Sequence, residues 1–241
     1  MDDAPSGKRA ANKERVRNDL AAAALSLFDR QGFADTSVDE IADAAGVSRR
    51  TLFRHFSTKA DVIFADHPER IIRLGQYLQA ASADAPPLDV VIGSAEATIP
   101  SFIEPPDFFL TRHRLLKTTL ELRLREQAYG LQYTNVLALF LRRRLREIEI
   151  DVPDVDTLGD MLASAVVTVV NRAQRTWSAS GGTSDPMAST VTGLGMLRQA
   201  FDPLVNPRTD AGSGPTVIVM NTDGVMPPDV VNRLNSIFDP D

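Results

Sequence analysis

Between Ser37 and Phe56 lie two segments, each too short to hold a helix alone, separated by a glycine. Ser37 followed three residues later by Glu40 is the spacing of a capping box, and Val38, Ile41 and Ala42 give the segment Val38–Ala45 one apolar side. Gly46 ends it. Ser48 then caps a second helix running to about Phe56, with Leu52 and Phe56 on its inward side. Isolated helices this short are marginal in water, so the pair must pack on a third element. The segment Asn12–Arg30 supplies one, with Val16, Leu20, Ala24, Leu27 and Phe28 at helical spacing and Gln31-Gly32 as its stop. Two capped helices meeting at Ala45-Gly46-Val47 and packed on a third are a helix-turn-helix unit.

The rest of the chain also reads as helix. A long fourth helix starts at Ser57 or Thr58 and carries Val62, Ile63, Ile71, Leu74 and Leu78. After Pro86-Pro87 a helix spans Leu88–Phe102, disturbed at Pro100. The Glu104-Pro105-Pro106-Asp107 break leads into helices over Asp107–Glu126 and Gly130–Glu149, the second with a buried stripe of Leu137, Phe140, Leu141, Leu145 and Ile148. Beyond Val152-Pro153-Asp154 the spacing predicts a long apolar helix, Val155–Ser178. Gly181-Gly182 ends it, and Asp185-Pro186 opens a last helix to about Phe201. Residues 206–215 read as a linker, Thr216–Met220 as strand-like and Pro228–Phe238 as a short helix. The expected architecture is therefore all-α: a disordered leader (1–12), a three-helix helix-turn-helix domain (13–60), a larger helical domain (61–205) and a short extension (206–241) with a strand-like run.

Composition narrows the function classes. Zero cysteines exclude disulfides, thiolate catalysis and cysteine-ligated zinc. The longest apolar stretch, Leu162–Val170, is too short to span a bilayer, and the first residues lack a secretory core, so a cytoplasmic protein without a membrane partner is expected. No glycine-rich phosphate loop, nucleophile elbow or paired-histidine metal site appears, which argues against an enzyme and against any cofactor. Net charge is −6, yet it is uneven: residues 1–60 carry +1 and residues 61–241 carry −7. Within the first part, Ala44–Lys59 holds Arg49, Arg50, Arg54 and Lys59 and no acid. A basic patch on an acidic body suits one face that meets phosphates, although a solvated charged helix has the same composition.

The run Thr36–Lys59, with Leu27-Phe28 and Gly32-Phe33 before it, resembles the DNA-binding signature of the TetR family of transcriptional regulators. The resemblance covers Leu27–Lys59 and no residue-level motif beyond it. It implies double-stranded operator DNA as partner, a homodimer, and a small-molecule effector sensed by the remaining helices. It places Ser48, Arg49, Arg50 and Thr51 at the start of the recognition helix, facing the major groove. Thr36, Ser37, His55 and Lys59 fall where contacts to the DNA backbone are expected, and Arg54 projects from the outer side of the helix, where it could meet a base edge or a phosphate. Two residues depart from the pattern: Arg50 stands where a small residue is frequent, and Phe53 where tyrosine is, so a phenolic phosphate contact is lost. Lys8 and Arg9 offer a short basic arm.

For the dimer, the last two helices carry apolar residues beside small ones: Ala163, Ser164, Ala165, Val166, Val167, Val169 and Val170, then Val191, Leu194, Met196, Leu197 and Phe201. The same faces also suit internal core. Effector contacts are expected from Phe102, Phe108 and Phe109 around the Pro105-Pro106 break and from Asn171, Arg172 and Arg175 on the apolar helix. The variant of the motif around Arg49–Phe56 is similar to a branch with acyl-CoA-like sensor domains, which implies an acyl-CoA or other lipophilic acid. The expected function is a ligand-released repressor; an activator of the same family or a helical interaction module without DNA binding are the alternatives.

Overall fold

The computed structural model describes residues 4–148 and 150–205, with side chains from Asn12 onward except that of Phe102. The expected strand-like run, linker and terminal helix beyond residue 205, and the side chains of Lys8 and Arg9, lie outside the described residues. Every regular element among the described residues is helical, with no strand: α1 (Ala4–Gln31), α2 (Val38–Ala44), α3 (Arg49–His55), α4 (His67–Gln79), α5 (Pro87–Thr98), α6 (Pro106–Thr118), α7 (Leu120–Glu147), α8 (Val155–Ala179) and α9 (Pro186–Val205).

Three boundaries differ from the reading of the sequence. Helix α1 begins at Ala4, well before Asn12, because Ala, Lys and Arg favour helix without any apolar periodicity and Pro5 is tolerated in a first turn. The fourth helix is preceded by a separate 3-10 turn, Ala60–Phe64, and α4 starts only at His67. The break between α6 and α7 falls at Thr119, in extended conformation, while Gly130 lies inside α7. A glycine within a helix costs only about 1 kcal/mol, which packing over a helix of this length outweighs.

Two apolar cores organise these helices. The first joins Leu20, Ala24 and Phe28 of α1 to Ile41, Leu52 and Phe56, then to Val62, Ile63 and Phe64 of the 3-10 turn. It is completed from a distance by Leu115 and Leu116 of α6 and Leu122 of α7. The second core is built by α4, α5, α7, α8 and α9 around Leu88, Val91, Leu141, Leu145 and Leu162. Gly193 matters to it: a Cβ there would come within 2.6 Å of Val169 Cγ1, so only glycine lets α9 lie this close to α8. Arg144 turns inward from the basic run of α7, and its guanidinium donates to the carbonyls of Ser82, Ala83 and Ala85 that follow α4.

The N-terminal helices are fastened to the body by charge as well as by leucines. One Asp66 carboxylate oxygen accepts from Arg112 Nη1 at 3.1 Å, and the other forms an ion pair with Arg70 Nη2 at 2.8 Å. Arg112 also reaches the Ile63 carbonyl at 3.3 Å. Asp61 accepts from the Thr58 backbone and hydroxyl, both at 2.9 Å, and pairs with Arg125 of α7. Burial alone would raise the Asp66 carboxyl, but the neighbouring guanidinium groups outweigh it and hold it at about 2. His67 beside it is buried; Nδ1 meets the Tyr133 hydroxyl at 3.1 Å and the ring stacks on Tyr129 at 4.5 Å. Burial pushes the imidazole down to about 3, against the pull of the Asp66 carboxylate, so it is neutral at ordinary pH.

Two measurements check this joint. The unfolded chain takes a proton on His67 below 6.5 while the folded chain does not until about 3, so stability falls as pH drops through that window. The expected loss is about 2 kcal/mol by pH 5, read from urea unfolding, and His67→Phe should flatten the curve between pH 6.5 and 5. Leu122 is fully buried, and Leu122→Ala should cost about 2–5 kcal/mol although it lies far in sequence from the helices it supports. A loss under about 0.5 kcal/mol would mean the α6–α7 corner does not support the first core.

Candidate nucleic-acid interface

The α2–α3 pair is shaped by its caps. The Ser37 hydroxyl accepts from Glu40 N at 3.1 Å, and the Glu40 carboxylate accepts from Ser37 N at 2.7 Å and the Ser37 hydroxyl at 2.8 Å. These bonds lower the Glu40 pKa, the one from the Ser37 backbone most. Gly46 takes φ +67°, a left-handed turn that side chains resist, and so aims α3 across α2. At the start of α3, the Ser48 hydroxyl accepts from Thr51 N at 3.1 Å.

Leu52, at 0% exposure, and Phe56 anchor α3 to the first core and leave its other side in solvent. On that side Ser48, Arg49, Arg50, Phe53 and Arg54 are exposed, and Thr51 and His55 are half-buried at its edge. Arg49 pairs with Asp39 at 2.8 Å and lies over the Phe53 ring at 5.5 Å. Both partners of that ion pair are exposed, so it holds Arg49 only weakly. Among the described residues Arg50 and Arg54 form no hydrogen bond or ion pair. Phe53 is 44% exposed on this face, so it is not core packing.

Two of the expected backbone-contact residues sit differently. Thr36 is buried, its hydroxyl donating to the Gly32 carbonyl at 2.7 Å. Lys59 Nζ donates to the carbonyls of Phe33 at 2.6 Å and Thr36 at 2.8 Å and rests on the Phe33 ring at 4.2 Å. Thr36 closes the turn after α1 on itself, and Lys59 ties that turn to the segment after α3. His55 is held lower than usual, first by burial and then by Arg17, Lys13 and Arg54, so it brings no charge to the face at neutral pH. Arg17 donates to the carbonyls of His55 at 3.1 Å and Ala65 at 2.9 Å and stacks on Phe56 at 4.7 Å.

The structure adds residues that sequence reasoning missed. An open groove between α1 and α3 is lined by Asn12, Lys13, Val16, Thr51, Arg54 and His55. Asn12 and Lys13 carry no periodic signal, and their place beside α3 follows only from the packing of α1.

The expected effector residues are not gathered into one place. Phe108 and Phe109 pack edge to face at 5.2 Å beneath Arg112. The Phe102 side chain lies outside the described residues. On α8, Asn171 is half-buried while Arg172 and Arg175 are exposed, and Arg175 is near enough to act on the titration of Glu126 and His113. Among the described residues no hydrogen bond or ring contact joins these α8 residues to Phe108 or Phe109. Of the residues expected at a dimer face, Ala163, Val166, Leu194 and Leu197 are internal core, whereas Val191 and Met196 point outward with Met161 and Leu204. Among the described residues no cluster of His, Asp and Glu could hold a metal, and no helix is long and apolar enough to cross a membrane.

Comparison with known proteins agrees with this geometry. Residues 20–65 match the family model of the bacterial regulatory proteins of the tetR family. The candidate mycofactocin biosynthesis transcriptional regulator MftR of Mycobacterium tuberculosis is 30% identical over 142 residues, which cover 57% of this chain and 68% of that protein. Two solved structures share the fold: FadR of Thermus thermophilus, a transcriptional repressor in complex with lauroyl-CoA, and SmeT of Stenotrophomonas maltophilia, the repressor of the SmeDEF multidrug efflux pump. FadR superposes with TM-score 0.54 at 20% identity, covering 82% of this chain and 99% of its own. SmeT superposes with TM-score 0.54 at 18% identity, covering 76% and 89%. The matched proteins are regulators and not enzymes. With a capped helix-turn-helix at residues 37–56, an outward arginine face and this match in both sequence and fold, the chain belongs to the TetR family of transcriptional regulators, its DNA-binding domain formed by the N-terminal helices.

Proposed function

We propose that the chain is a homodimeric repressor that reads a palindromic operator with α3 and releases it when a small lipophilic acid, or its coenzyme A ester, enters the helical body. The observation that carries the DNA-reading half is the exposed face of α3, where Arg50 and Arg54 are uncommitted and Arg49 is tied only to an exposed Asp39. Such an arginine offers guanine two parallel hydrogen bonds in the major groove. Ser48, Thr51, Phe53 and His55 border that face, and Asn12 and Lys13 extend it toward phosphate. Thr36, Ser37 and Lys59 serve by fixing the α2–α3 pair, because their polar groups are already bonded within the protein.

A palindrome requires two heads about 34–36 Å apart, or a multiple of that. The apolar side chains left outward on α8 and α9, Met161, Val191, Met196 and Leu204, give a second copy a surface to cover. Support for repression is that FadR and SmeT are repressors, and support for a lipophilic acid is the lauroyl-CoA held by FadR. The effector would weaken operator binding by as much as its affinities for the two head spacings differ.

A gel shift on the DNA upstream of the chain's own gene tests the first half. The double substitution Arg49→Ala and Arg50→Ala should weaken specific binding by at least about tenfold while circular dichroism stays helical. A full-strength shift would contradict the assignment of α3. Sedimentation tests the second half: Val191→Glu with Met196→Glu should convert a dimer to monomer at micromolar concentration, and an unchanged dimer would move the interface elsewhere.

A further inference from the structure

At the joint between the N-terminal helices and the body, a single carboxylate serves two buried guanidinium groups. Asp66 meets Arg112 with one oxygen and Arg70 with the other, and both arginines are 5% exposed. Glu126 of α7 feels the charge of Arg112 but makes no hydrogen bond or ion pair among the described residues. Next to them His67 uses one ring nitrogen only. Its Nδ1 meets the Tyr133 hydroxyl, while Nε2 is buried without a partner. Burial keeps the Tyr133 phenol protonated, so its hydroxyl can either donate to Nδ1 or accept from it. With the phenol donating, the neutral ring carries its hydrogen on Nε2, a buried polar atom lacking a partner. Such a group costs free energy unless something completes it.

The walls are aromatic. Arg112 lies over Phe64 at 5.5 Å, Phe108 at 5.7 Å and Phe109 at 4.8 Å, and Tyr129 stacks on His67. Tyr129 also lines a cleft of about 200 Å³ together with Arg17, His55, Asp61 and Arg125, so solvent comes within one ring of the histidine. Guanidinium charge, an unmet N–H donor and apolar walls together suit a compact anion with an apolar tail.

We infer that this node seats the carboxylate of the effector, with Arg112 and His67 Nε2–H holding the ionised head group and Phe64, Phe108 and Phe109 lining the start of its chain. The inference rests on reading the body as an effector-binding unit and narrows that reading. The ligand is a free lipophilic acid, because a thioester carbonyl brings no charge to the arginines and the phosphates of coenzyme A are too large and hydrated for a site walled by rings. It also supplies a route to the DNA-reading head. Arg112 holds the Ile63 carbonyl and Asp66, both in the segment that follows α3. An incoming carboxylate competes with Asp66 for Arg112 and so loosens that hold.

The test uses the full chain at pH 7 with three probes of one chain length: dodecanoate, dodecan-1-ol and dodecanoyl-coenzyme A. Binding is read by calorimetry and operator release by fluorescence anisotropy. Dodecanoate should bind at least about tenfold tighter than the alcohol or the thioester. His67→Phe should shrink that preference to within about twofold. Tyr133→Phe gives a second reading should His67→Phe not fold: with the phenol gone, the ring hydrogen is free to move to Nδ1, and the preference for the acid should fall at least about threefold. Equal binding of acid and alcohol, tighter binding of the thioester, or a preference that survives both substitutions overturns the inference and leaves the effector reading standing. If none of the three probes binds or releases the operator, the lipophilic-effector reading fails and this inference with it.

Discussion

The position of the DNA-reading head depends on one half-buried carboxylate that two buried arginines share. Asp66 closes the segment that leaves α3 and is gripped by Arg70 from α4 and Arg112 from α6. Removing one member of such a buried pair strands the other charge, typically at a cost of about 3–5 kcal/mol. The leucines at the α6–α7 corner act at the same place by a different force. Leu115, Leu116 and Leu122 fill a core otherwise built from residues of the first sixty-five, so head and body share apolar surface as well as charge. Head and body are thus joined by packed side chains and ion pairs.

Against this fixed base, the reading face itself is spare. Helices α2 and α3 are seven residues each and keep their shape through Ser37, Glu40, Gly46 and Ser48 on one side and Ile41, Leu52 and Phe56 on the other. That economy leaves the outer side of α3 free of structural duty. The arginines there are held by little more than one exposed ion pair, and they can exchange it for a base or a phosphate at small cost.

What could be read from the residues followed how local the deciding chemistry was. The helix-turn-helix was legible because each of its features (two serine caps, a left-handed glycine, a short apolar period) lies within a few residues of the place it acts. The α6–α7 break was misread because Gly130 is a local stop signal that long-range packing overrides, whereas Thr119 carries little local sign of one. Thr36 and Lys59 have the composition of phosphate contacts, yet their partners, the carbonyls of Gly32, Phe33 and Thr36, become visible only when the turn after α1 is folded. The Asp66–Arg112 link was beyond sequence reasoning altogether, since its members stand 46 residues apart with no pattern connecting them. His67, isolated in the sequence, gave no sign of a site for the same reason.

A head-spacing mechanism is tested most directly by the distance between the two heads of a dimer. The chain has no cysteine, so Asp35→Cys, on the exposed turn before α2, provides one spin-label site per copy. Pulsed dipolar spectroscopy on the full chain should show an inter-copy distance that sharpens to a single peak when operator is added and shifts away from it when a lipophilic acid is added. No inter-copy signal, or a distribution that is the same with and without operator, would contradict paired reading by α3.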